Sequence, residues 1–69
     1  MKLSARNQIK GKVKHIHVGA VNCEIIIEIA PGIEITSIIT KTSAESLELS
    51  IGKEVYAIIK ATNVIVGVE

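Results

Sequence analysis

The chain has 69 residues, a net charge of +1, 48% hydrophobic content, one cysteine and one aromatic residue, Tyr56. These values exclude an internal disulfide, an aromatic platform for stacking bases, and the strong basic excess of a general nucleic-acid binder. One domain over residues 1–69 is expected, with a marginal core, because a fold this small leaves most of its chain at the surface.

Small folds make up that deficit with disulfides, metals or oligomerisation. Cys23 has no partner within the chain, and no Cys and His set has zinc-finger spacing, which leaves assembly with other copies. The abundance of Ile and Val points the same way. β-branched residues suit strands packed on both faces, and so small a domain covers both faces only by burying one against a partner. A homo-oligomer is therefore expected. Met1 and Lys2 lead into polar residues without an apolar signal core, and no apolar run approaches bilayer length, so a cytoplasmic protein with no membrane partner is expected.

Taken in order, the chain opens on the polar stretch Ser4-Ala5-Arg6-Asn7-Gln8. From Gln8 to Val18, Ile9, Gly11 and Val13 alternate with lysines, which predicts a half-buried strand with a lysine-rich outer face. Ile16 and Val18 fall on the opposite parity, which predicts a bulge near Lys14 or His15. Gly11 within the strand predicts a bend or a close backbone approach. After a turn at Gly19-Ala20, the run Val21 to Ile29 places Val21, Cys23, Ile25, Ile27 and Ile29 on one face. Ile26, between glutamates on the other face, is assigned to a subunit contact. Pro31-Gly32 predicts a tight turn, with Pro fixing φ at the first central position and Gly supplying positive φ at the second. A third strand follows from Ile33 to Thr40.

Thr42-Ser43-Ala44-Glu45 has the form of a capping box opening a short helix, with Leu47 packed inward. A fourth strand is expected over Glu54 to Lys60, and a fifth over Val64 to Val68 after the interruption at Ala61-Thr62-Asn63. The whole is all-β: a five-stranded OB-like Greek-key barrel with one short helix between strands three and four.

Lys60-Ala61-Thr62-Asn63 repeats the chemistry of the opening stretch: cation, small residue, hydroxyl, amide. Arg6 offers a planar fork of donors, Lys60 a point charge, Ser4 and Thr62 hydroxyls, and Ala5 and Ala61 backbone amides free of bulky neighbours. Such a set suits a tetrahedral dianion such as molybdate, tungstate or sulfate, held by charge-assisted hydrogen bonds. The plainer alternative is that Arg6 and Lys60 are solvated surface cations.

The run from Ser4 to Val13, SARNQIKGKV, resembles the opening of the molbindin (Mop) family, small molybdate-binding domains of the TOBE type. The resemblance extends through Ile35 to Thr40, Ser43 to Leu47 and Val55 to Val64, nearly the whole chain. It implies an OB-like barrel, a hexamer built as a trimer of dimers, and molybdate bound between subunits against Ser4, Ala5, Arg6, Lys60, Ala61 and Thr62. Some relatives carry a serine where this chain has Ala61, so a contact there falls to the backbone amide, with Thr62 supplying the hydroxyl. Ser4 and Arg6 of one chain are expected to meet Lys60 of another.

His15 and His17 share a strand face, but two histidines without a third ligand fall short of a zinc site, so no metal is expected. A ring of Lys14, His15 or His17 copies around an anion is the alternative role. Cys23 belongs to the core, Tyr56 to an interface, and Glu24 and Glu28 to a solvated face. The function expected is intracellular molybdate or tungstate binding for storage or buffering, with no catalytic step. The rival from another class is a small OB-like nucleic-acid-binding module.

Overall fold

Four antiparallel strands carry the architecture in a computed structural model that describes residues 1–69. Strand β1 runs Asn7–Val18, β2 Asn22–Ala30, β3 Ile33–Thr40 and β4 Glu54–Ile59; helix α1, Lys41–Ser46, lies between β3 and β4. A 3-10 turn, Ala61–Asn63, follows β4. The sheet order is β3-β2-β1-β4. Three hairpin-connected strands are thus joined by a fourth that returns through α1 to lie beside the first.

β1 is long enough to serve two neighbours. Its first half pairs with β4, from Asn7 opposite Ile59 to Lys12 opposite Glu54, and its second half pairs with β2. The β1–β2 register shifts between Val13 and His15, so Lys14 is the bulged residue. One extra residue returns Ile16 to the inner face, as the parity change in the sequence predicts. At Gly11 the backbone of β2 passes so close that an added Cβ would lie 2.6 Å from the Glu28 carbonyl oxygen and 2.7 Å from Ile27 Cγ2. Gly32, at φ +76°, completes the tight turn between β2 and β3.

The sheet curls until its two edge strands share a cavity. Ser37 and Ile39 of β3, Val55 and Tyr56 of β4 and Leu47 and Leu49 beyond α1 line a space of about 140 Å³. The core beneath is small: Val13, Cys23, Ile25, Ile27, Ala44 and Ala57 are the only buried residues.

Three expectations are corrected. Leu47, expected to pack inward, stands 58% exposed, because the helix ends at Ser46 and Ala44 is the residue it buries. The helix is capped by Thr40, whose Oγ1 accepts from the Ser43 amide at 3.0 Å, and begins at Lys41, so Thr42 lies inside the first turn. The end of β3 thus supplies the cap, and the helix needs no separate start signal. Val64 to Val68 forms no strand within the chain; Ile65, Val66 and Val68 stand 92%, 86% and 94% exposed. After the turn at Ala61–Asn63 no edge of its own sheet is hydrogen-bonded to this segment, and a strand without a neighbour has no ladder to hold it.

Candidate functional site

The start of β1 and the end of β4 are register partners, Asn7 opposite Ile59. That pairing puts the residue before β1, Arg6, and the residue after β4, Lys60, at the same end of the sheet. The two polar segments meet there in an open cleft of about 590 Å³ lined by Ser4, Ala5, Arg6, Ile58, Lys60, Ala61, Thr62 and Asn63. All six predicted binding residues are in it. Within a single chain the two segments already lie side by side. All the lining residues except Ala5 are solvent-exposed, so a single chain presents the cleft as an open surface.

Its electrostatics are one-sided. The lining holds two cations and no carboxylate. Salt bridges occupy Lys10, with Glu54 at 3.4 Å, and Lys14, with Glu28 at 3.2 Å and Glu34 at 3.0 Å, while Arg6 and Lys60 have none. Cations left unpaired at the mouth of a cleft attract anions. The backbone amides of Ala5, Arg6, Ala61 and Thr62 make no hydrogen bond within the chain and add neutral donors.

Two side chains that the sequence did not single out as functional shape this site. Asn7 Nδ2 donates to the Ile59 carbonyl at 3.2 Å, and Gln8 Nε2 donates to the Ala5 carbonyl at 3.1 Å. The only signal for them in the sequence was their place directly after Arg6.

The other candidates fall elsewhere. His15 and His17 lie side by side with ring centroids 6.0 Å apart, and no group of three or more potential metal ligands exists. Their neighbour Lys14 is paired with Glu28 and Glu34. Cys23 is buried. Tyr56 is half exposed on β4 and is the sole aromatic, so bases would have a single ring to stack on.

A curled four-stranded sheet with a cation-lined, carboxylate-free cleft at one end defines a small β-module built to attract anions. The chain belongs to the TOBE-domain family, whose model matches residues 3–66. It is 52% identical, over the full length of both chains, to a probable molybdenum-pterin-binding protein of Haemophilus influenzae. Among solved structures it is similar to MopII from Clostridium pasteurianum in an apo form, at 45% identity and a TM-score of 0.90, covering 97% of this chain and 100% of that one. The cytoplasmic molybdate-binding protein ModG, with molybdate bound, matches at 48% identity and a TM-score of 0.94; all of this chain aligns with 49% of that one.

Proposed function

We propose that this chain binds molybdate, with tungstate as its close analogue, and stores or buffers the oxyanion in the cytoplasm without a catalytic step. The observation that carries the reading is the cleft that gathers Arg6 and Lys60, both free of carboxylate partners, with Ser4, Thr62 and unpaired backbone amides. In this reading Arg6 and Lys60 neutralise the dianion, Ser4 and Thr62 donate hydroxyl bonds, and the amides at Ala5 and Ala61 complete the shell. The names of the H. influenzae, C. pasteurianum and ModG proteins support the choice of ligand.

Residues 1–69 act as one module in this reading, and the binding unit is a homo-oligomer, a hexamer built as a trimer of dimers. A dianion removed from water requires donors on all sides, and the cleft of one chain leaves one side open. The exposed tail from Val64 to Val68 supports assembly: paired with a second copy, it supplies the fifth strand of an OB-like Greek-key barrel. Ligand binding at such a junction favours the assembled form by mass action.

Isothermal titration with molybdate tests the reading. Uptake of the anion by the wild-type chain and its loss in Arg6→Ala are expected; absence of heat with both molybdate and tungstate rejects it. Nucleic-acid binding is the weaker reading, since Lys10 and Lys14 are tied to glutamates and leave no continuous basic track.

A further inference from the structure

His15 and His17 reach the outer face of β1 because of the bulge beside them. Their parity in the sequence is that of Ile9, Gly11 and Val13, which face inward, and an unbroken strand would turn both rings into the core. The extra residue at Lys14 shifts the register between Val13 and His15, so Ile16 takes the inner face and both imidazoles stand exposed. Being two apart on one strand, they lie side by side, with ring centroids 6.0 Å apart and planes tilted by 30°. Pairing with β2 holds the strand beneath them, His15 opposite Ile26 and His17 opposite Glu24. The chain's salt bridges engage Lys10 and Lys14, so neither ring is tied to a carboxylate.

We propose that this pair chelates a divalent ion of tetragonal preference, nickel(II) or copper(II), at a second ligand site separate from the oxyanion cleft. An ion about 2 Å from an imidazole nitrogen lies roughly 3 Å from the centre of that ring, so one ion can join rings whose centroids are up to roughly 6 Å apart. The observed spacing is at that limit, and side-chain rotation alone brings both nitrogens onto the ion while the backbone stays in register. Zinc closes its shell with three or four protein ligands, and this face offers two. Nickel(II) and copper(II) take square-planar or tetragonal sets of nitrogen and oxygen, so waters fill the positions that the protein leaves open. The surrounding charge favours a cation. Lys12 lies opposite Glu28, Lys14 is paired with Glu28 and Glu34, and Glu24 adds a carboxylate with no ammonium partner directly across from His17. The site lies near the end of β1 and the cleft at its start, so the inference is independent of the oxyanion-binding reading.

The test is titration of the full chain with nickel(II) or copper(II) chloride alone, with no oxyanion present and in a buffer that does not bind metal. Uptake of one ion per chain is expected, and the electron spin of bound copper(II) should couple to two imidazole nitrogens. His15→Gln and His17→Gln each leave a single imidazole and should weaken uptake at least about tenfold, the scale on which metal sites respond to loss of even a supporting group. Both positions are exposed, so the variants should keep the fold, with an unchanged circular dichroism spectrum. Adding Val18→His to His17→Gln restores the number of histidines but sets them on opposite faces of the strand, and should not restore uptake. Absence of uptake with both ions, coupling to a single nitrogen, uptake unchanged when both histidines are replaced, or rescue by Val18→His overturns the proposal.

Discussion

Asn7 Nδ2 donates to the carbonyl of Ile59 at 3.2 Å, closing a contact between residues 52 apart in sequence at the point where β1 begins and β4 ends. The two are also register partners, so backbone and side chain fix the same junction. Arg6 and Lys60 are the next residues outward on either side. The side-chain clasp beside them bears no charge itself.

Asn7→Ala removes the clasp and leaves the Ile59 carbonyl partly buried without its partner. Loss of about 1 kcal/mol is expected, read as a lower denaturant midpoint with an unchanged slope. Molybdate affinity should fall as well, because Arg6 and Lys60 lose their fixed spacing. A variant with wild-type stability and affinity would show that the β1–β4 ladder positions the cleft unaided.

Glu48 has φ +53°, the left-handed region, and is the one non-glycine residue there. The position follows from the end of α1: the Glu48 amide donates to the Glu45 carbonyl at 3.0 Å and the Leu49 amide to Ala44 at 3.2 Å. That double pattern requires a left-handed residue just past the helix, and glycine is the usual occupant. Lys53 Nζ adds bonds to the Leu47 and Glu48 carbonyls at 2.7 and 3.1 Å. Glu48→Gly should stabilise the fold by about 1 kcal/mol, since glycine takes this conformation without the Cβ penalty. A lowered melting temperature would contradict this account.

How far the sequence reveals this fold depends on whether the cause of each feature is local. The bulge at Lys14 and the closeness of β2 at Gly11 were readable because parity and a missing side chain record them directly. The turn at Pro31-Gly32 was readable for the same reason. The cap was misplaced by two residues. Thr40 and Thr42 are both good cap residues, and the choice between them lies in where β3 stops pairing, with Thr40 opposite Asn22 as its last rung. The six cleft residues were found by their chemistry and by family resemblance. Asn7 and Gln8 were read as members of the polar stretch but given no role of their own, because an amide that covers a carbonyl looks, in sequence, like any polar residue at the start of a strand.

Lys14, as the bulged residue of β1, reaches Glu34 on β3 at 3.0 Å and Glu28 on β2 at 3.2 Å, linking three strands. The hydrogen bonds that Lys14 Nζ donates to Glu34 first and Glu28 second, reinforced by the carboxylates' charges, raise its pKa above the ordinary 10.5. A lysine whose folded pKa is raised adds stability that is fully present below the unfolded value and is lost as pH climbs through the folded one. The expected signature is a fall in stability confined to strongly alkaline pH, absent in Lys14→Met. The side chain is 43% exposed, so solvent keeps the effect modest. A direct NMR titration of the Lys14 side chain that placed its pKa at or below the ordinary value would refute it.

The tail makes the most consequential prediction. Val64, Val66 and Val68 share one parity, with Ile65 on the other, and these residues are 52–94% exposed in the single chain. The edges of β3 and β4 meanwhile flank apolar space lined by Ile27, Ile39, Val55 and Tyr56. In the proposed assembly a second copy's tail laid between those edges would supply a fifth strand, and each Ile or Val so buried would contribute about 1.5–3 kcal/mol before the cost of association. The tail departs directly from Thr62 and Asn63, so its partner would cover the open side of the cleft. Deleting residues 64–69 should therefore convert the assembly to monomers by light scattering while strand content by circular dichroism persists, and should weaken molybdate binding although every predicted contact residue remains. A full-length chain that is monomeric at high concentration, or a truncated one that still assembles and binds normally, would place both the interface and the completion of the site elsewhere.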